Sequence, residues 1–214
     1  MIREHYETVK KIIGDIDLCV VTKKRSIEEI QSYYDAGERI FGENHAQELL
    51  SKVDHLPKDV RWQFIGHLQR NKVREVIPYT DCIQSLDNLK LAQVINKEAE
   101  RINKIQHVLV EFHLAEEDTN KTGLSESDAI PFIDAVMKMT HIHIDGIMVM
   151  GPHTDNEERV SEVFHHGHDL FEILQKKYSK EYIHTFSAGM SADYPIAVKC
   201  GSTMVRIGTF LFKS

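Results

Sequence analysis

Eight short apolar runs recur along the 214 residues, and longer stretches with apolar residues every three to four positions separate them. The runs are Asp17–Thr22, Arg39–Gly42, Trp62–Gly66, Cys82–Ser85, His107–Phe112, Ile144–Val149, Thr185–Ser187 and Met204–Ile207. Neighbouring parallel strands need a crossover of a dozen residues or more, so strand–helix alternation of this length feeds a parallel sheet. Eight strands is the number that closes such a sheet. The chain is therefore predicted to be α/β, a (β/α)8 TIM barrel forming one domain over residues 1–214. A doubly wound open sheet is the alternative, but no Gly-x-Gly-x-x-Gly follows the first run.

Helical periodicity is clearest at 3–13, 87–101, 126–139 and 157–178, and Ser26 with Glu29 three residues on forms a capping box. Only seven residues follow Ile207. The last strand thus has no long helix of its own, and the N-terminal helix is expected to cover the seam, because first and last strands are neighbours in a closed barrel.

Composition narrows the partners. With 42% hydrophobic and 28% charged residues the balance is that of a soluble globular chain, and a formal net charge of −7 disfavours nucleic acid or an anionic membrane. Cys19, Cys82 and Cys200 are odd in number, widely spaced and form no Cys-x-x-Cys, which favours a reducing cytosol. No apolar run reaches membrane-spanning length and the charged N-terminus has no signal-peptide core, so a cytoplasmic location is expected.

Two Gly/Ser/Thr loops lie near the end: Ser187-Ala188-Gly189-Met190-Ser191 and Gly208-Thr209. Glycine admits close backbone approach, and hydroxyls with free N–H groups suit phosphate oxygens. A pair of them at the ends of consecutive strands matches the phosphate site of a barrel's last two βα units. Arg206, between them on an otherwise apolar strand, needs a partner there. Lys23 follows the first run, at the end of the barrel where active sites are built, and a lysine in such a place can form a Schiff base with an aldehyde.

The sequence resembles the pyridoxal phosphate homeostasis proteins, whose fold is like the barrel domain of alanine racemase. The resemblance spans nearly the whole chain. It rests on Val20-Val21-Thr22-Lys23, Phe41-Gly42-Glu43-Asn44 with Gln47-Glu48, Trp62-Gln63-Phe64-Ile65-Gly66 with Leu68-Gln69 and Asn71-Lys72, Lys121-Thr122-Gly123, Ser187 through Asp193, and Gly201 through Thr209. It implies a pyridoxal 5'-phosphate-binding protein of intracellular cofactor homeostasis, a store and buffer that delivers to apo-enzymes, with the cofactor as a Schiff base on Lys23. Ser187, Gly189, Met190, Gly208 and Thr209 would form the phosphate cradle, Asn44 would sit by the cofactor ring, and Arg206 would face the pyridine nitrogen. Lys121 resembles a second lysine near the mouth.

An arginine there can only donate, which leaves the nitrogen unprotonated and the ring a weak electron sink. In the resembling racemases the second base is a tyrosine from a separate domain, for which 214 residues leave no room. A non-enzymatic role is thus expected, with a pyridoxal phosphate-dependent amino-acid racemase as the alternative and an aldolase-type Schiff-base enzyme as a third reading. Expected partners are the small-molecule cofactor and cofactor-requiring apo-enzymes, with no nucleic acid, no membrane and a monomeric state. The pattern departs from the family at Gln63, where family members usually carry His.

Other groups carry less. His165, His168 and Asp169 share a helix face at metal-ligand spacing but read as a solvated face, and no metal centre is expected. His141 and His143 read as an exposed strand edge, and Met148 and Met150 as core filling. Glu43 reads as an acid/base or as a group that fixes Asn44 or a lysine.

Overall fold

The computed structural model describes residues 2–115 and 122–213; Lys121 lies outside the described residues. In chain order the elements are α1 (Ile2–Ile13), β1 (Asp17–Val21), α2 (Ile27–Asp35), β2 (Ile40–Glu43), α3 (Ala46–Lys52), β3 (Arg61–Phe64), α4 (Val73–Val76), β4 (Thr80–Leu86), α5 (Leu89–Arg101), β5 (Gln106–Phe112), α6 (Ala129–Val136), β6 (Ile142–Val149), α7 (Glu157–Tyr178), β7 (Thr185–Ala188), α8 (Tyr194–Lys199) and β8 (Met204–Ile207). The strands are all parallel and close in sequence order, as expected for the (β/α)8 barrel. Closure is made by β1 on β8, paired from Asp17 opposite Met204 to Val20 opposite Ile207.

Period-two alternation sorts each strand into two faces. Outward residues such as Leu18, Val20, Phe41, Phe64, Val108, Val110, Phe186, Val205 and Ile207 join the helices in one apolar cluster. Inward residues form two smaller patches, Cys19, Ile40 and Met204 with Ile65, and Cys82, Leu109 and Met148 with Met150. A polar row runs between them. Arg206 Nη1 donates to Ser187 Oγ at 2.6 Å, Ser187 Oγ to Gln84 Oε1 at 2.8 Å, Gln84 Nε2 to Gln63 Oε1 at 3.0 Å, and Gln63 Nε2 to Asp81 Oδ2 at 3.3 Å. Arg206, Ser187, Gln84 and Gln63 are buried, where an unmade hydrogen bond would cost about 1–3 kcal/mol each, so the chain of bonds is what permits a polar interior.

The helix starts follow their side chains. Ser26 and Glu29 make both bonds of the capping box on α2, Asn88 caps α5, and Asn156 Oδ1 accepts from the N–H groups of Glu158 and Arg159 to cap α7. The N-terminal helix covers the seam as expected: the His5 ring meets Phe210 at 4.9 Å, and Tyr6 meets Tyr33 at 5.8 Å. Leu211 and Phe212 return into the core, and the buried Tyr33 hydroxyl donates to the Leu211 carbonyl at 2.6 Å.

Candidate functional site

The C-terminal ends of the strands form the barrel mouth. Lys23 is exposed in the turn just after β1, and Lys24 beside it takes a left-handed conformation (φ 59°). The Lys24 N–H donates to Glu48 Oε2 at 2.7 Å, which fixes the turn to α3. Burial acts to raise the Glu48 carboxyl, but the Lys24 N–H and the Lys52 ammonium outweigh it and hold it below the usual carboxylate range. Beneath lies a buried cluster. Glu43 Oε1 accepts from Thr22 Oγ1 and from Lys52 Nζ, each at 2.5 Å, and Lys52 also reaches the Thr22 carbonyl at 2.8 Å. Glu43 Oε2 accepts from the Asn44 N–H at 3.3 Å. Glu43 therefore fixes both Asn44 and a lysine, one of its two expected roles.

Lys23 and Asn44 share a cleft of about 490 Å³ with His45, Gly66, His67 and Lys72. The lining is basic within an acidic molecule. A second cleft, of about 570 Å³, lies across the mouth and includes Met150, Met190, Asp193 and Ile196. The Met190 N–H donates to Asp193 Oδ1 at 2.6 Å. Gly189 is required just before this turn: its φ is +93° and an added Cβ would stand 2.6 Å from Ala197 Cβ.

The two loops after β7 and β8 meet through a residue that sequence reasoning left unassigned. Ser191 Oγ accepts from the Gly208 N–H at 3.3 Å and from the Phe210 N–H at 3.1 Å. Two backbone donors thus converge on one oxygen position, with Thr209 exposed between them. Backbone N–H groups directed in this way suit phosphate oxygens, and here the Ser191 hydroxyl takes both, so a ligand oxygen would have to stand where that hydroxyl stands. Ser187 sits deeper: it is fully buried and its hydroxyl is engaged by Gln84 and Arg206. Arg206 Nη2 donates to the Val149 carbonyl at 3.2 Å and lies 3.3 Å from Met150 Sδ. Among the described residues it makes no ion pair. Burial lowers the Arg206 pKa, with Cys19, Asp193 and Glu111 acting the other way, and a guanidinium is basic enough to stay charged. Cys19 pairs with Arg206 across the seam, and burial pushes its thiol up to about 12.

The geometry thus joins Lys23 with Asn44 in one cleft, Ser187 with Arg206 by a hydrogen bond, and Gly208 with the Ser187–Ser191 loop through Ser191. Met190 lies in the second cleft, and the β1–β8 register relates Lys23 to the Gly208 loop. Gln84, Lys52 and Ser191 are the members that sequence reasoning missed. The Glu48–Lys52 spacing of four in a helix was a signal for the second, and the quoted Ser187–Ser191 motif contained the third.

The other histidines separate. His165 Nδ1 meets the Ser161 carbonyl at 2.9 Å and Cys200 Sγ at 3.3 Å, while His168 packs on Phe171 and Phe186. His143 is not on an exposed edge, because barrel closure leaves β6 paired on both sides.

A closed parallel barrel with a strand-end lysine and a paired glycine–hydroxyl loop at its mouth defines a class, and all residues 1–214 match the family described as alanine racemase, N-terminal domain. An alanine racemase of Clostridium difficile 630 has the same fold, with a TM-score of 0.83, 16% identity and coverage of 100% of this chain and 56% of that one. The chain belongs to the pyridoxal phosphate homeostasis proteins: the member from Pasteurella multocida is 32% identical over 214 residues, covering 99% of this chain and 91% of that protein. The PipY protein of Synechococcus elongatus, solved with pyridoxal phosphate bound, has a TM-score of 0.90 at 28% identity, with full coverage of both chains.

Proposed function

We propose that this protein binds pyridoxal 5'-phosphate at the barrel mouth and serves in cofactor homeostasis, storing and buffering the cofactor and delivering it to apo-enzymes. The observation that carries this reading is the convergence of the Gly208 and Phe210 N–H groups on the Ser191 oxygen, beside the strand that leads into Lys23. The cofactor supplies an aldehyde that an amine captures reversibly, and Lys23 is assigned as that amine, holding it as a Schiff base.

Gly189, Met190, Gly208 and Thr209 border the phosphate position, with the Ser191 hydroxyl between the loops. Asn44, held by Glu43, orients toward the ring from the other side. Arg206 is assigned to the pyridine nitrogen, and Ser187, itself bonded to Gln84, serves by fixing the guanidinium. A donor that never gives up its proton keeps that nitrogen unprotonated, which favours holding the cofactor over withdrawing electrons from a substrate. The homeostasis naming of the relatives supports the same role. The reading includes a monomer in the cytoplasm; the three cysteines are free and buried, as suits a reducing compartment. No described helix is long and apolar enough to cross a membrane.

Chiral analysis of single L-amino acids after incubation with the loaded protein tests the role. The expected result is retention of the L form. Turnover at about 1–10³ per second, the range of ordinary enzymes, would overturn it in favour of a racemase.

A further inference from the structure

At the opposite end of the barrel, two imidazoles and a carboxylate converge on the floor. His107 near the start of β5 pairs in register with His143 near the start of β6, and paired residues share a face. Asp145 follows His143 by two, so it falls on that same face. A register shift beside it, between Val108 and Leu109, makes Asp145 the extra residue of a bulge. Bulges re-aim side chains, and this one turns the carboxylate between the two rings. Gly146 completes it, because a Cβ there would stand 1.9 Å from the Thr185 carbonyl oxygen.

The result is a compact donor set. His107 Nδ1 lies 2.8 Å and His143 Nδ1 2.7 Å from Asp145 Oδ1, and Asp145 Oδ2 is 3.0 Å from His107 Nδ1. One ligand atom from each residue lies within 4.8 Å of the others. The Tyr182 ring stacks on His143 at 5.0 Å and 18°, which fixes its plane. The three side chains keep 45%, 26% and 17% of their surface exposed, so an ion and its remaining waters can enter from the floor.

We infer that this cluster is a binding site for one divalent transition-metal ion of the zinc class, ligated by His107 Nδ1, His143 Nδ1 and the Asp145 carboxylate, with an open position toward solvent. Two nitrogens and one oxygen select such an ion over calcium or magnesium, which take oxygen sets. Zinc bonds of about 2.0–2.1 Å in tetrahedral geometry separate ligand atoms by about 3.3 Å. The hydrogen-bonded atoms must therefore part by about 0.5 Å, a movement available to partly exposed side chains. A neutral imidazole that donates to Asp145 carries its proton on Nδ1. On binding, that nitrogen donates its lone pair to the ion and the proton moves through solvent to Nε2. The ion would tie β5 to β6 at the end of the barrel away from the mouth, so this inference is independent of the proposed cofactor role.

Equilibrium dialysis of the full chain against Zn2+ tests it. One ion per chain is expected, retained in His166→Ala, an exposed histidine outside the cluster, and lost in Asp145→Asn and in His143→Ala. Imidazole 15N spectra of the unsubstituted chain keep the test independent of how those variants fold. Two of the 13 histidines should change to the Nε2–H tautomer when Zn2+ is added. No stoichiometric ion, or no tautomer change, would overturn the site and leave a hydrogen-bonded triad alone.

Discussion

At the residue scale, Glu43 and Lys52 show what holds the mouth in place. Their 2.5 Å contact is almost wholly shielded from water, and both ends are further bonded to Thr22, Asn44 and Glu48. Removing one member of such a pair leaves a buried charge with fewer partners, which typically costs about 3–5 kcal/mol. Glu48 remains beside Lys52, so Glu43→Gln is expected to lower stability by about 3 kcal/mol in urea unfolding. A loss under about 1 kcal/mol would mean that Glu48 alone compensates the ammonium.

Glu111 behaves in the opposite way. Burial raises its carboxyl above the usual 4.5, against the Thr122 hydroxyl and Arg206, which lower it. A raised acid is neutral more readily in the folded chain than in the unfolded one. Folding stability therefore falls as pH climbs from 4.5 through the folded-state value, then levels off. Glu111→Gln, which cannot ionise, is expected to be more stable than the parent at about pH 7 and equal to it at about pH 4. Unfolding midpoints at the two pH values decide this, and a gain that persists at the lower pH would assign it to packing instead.

At the scale of elements, the seam between β7 and β8 is the weakly paired one, with Ser187 opposite Met204 as its register pair. The Ser202 hydroxyl compensates from the loop before β8, within 3.1 Å, 2.9 Å and 2.7 Å of the Phe186, Ala188 and Met204 carbonyls. Both glycine–hydroxyl loops spring from these strands. Ser202→Ala is expected to cost about 1–3 kcal/mol and to weaken cofactor retention together with stability. Unchanged retention in a destabilised variant would separate the seam from the site.

The strands and their order were legible because outward Val, Ile, Leu and Phe mark each run. Their limits were less so. The sequence reads Cys82–Ser85 where β4 spans Thr80–Leu86, because Thr80 is a polar residue that the fold buries by bonding its hydroxyl to the Val76 carbonyl. Gln63 and Gln84 show the same limit at the site: their partners lie about twenty and a hundred residues away, and no local pattern links such positions. The strand-end position of Lys23 and the place of Arg206 inside the barrel were legible, because a strand end and a charge among apolar neighbours are local signals. The floor cluster was not, because it depends on the β5–β6 register and on the bulge at Asp145.

On the scale of the whole molecule, the barrel has two chemically distinct ends joined by one polar row. The mouth gathers Lys23, His67 and Lys72 in one cleft of a chain whose net charge is −7. The floor gathers His107, His143 and Asp145. Between them, Arg206, Ser187, Gln84, Gln63 and Asp81 form a continuous hydrogen-bonded path through the interior. That path ties the Arg206 position to β3, β4 and β7.

The central claim is that Lys23 holds the cofactor covalently. The most direct test is borohydride reduction of the protein loaded with pyridoxal phosphate, followed by mass mapping of the modified lysine. The account predicts a visible absorption band that disappears on reduction, one stable adduct on Lys23, and neither band nor adduct in Lys23→Ala. An adduct on another lysine, or a band that survives Lys23→Ala, would contradict it.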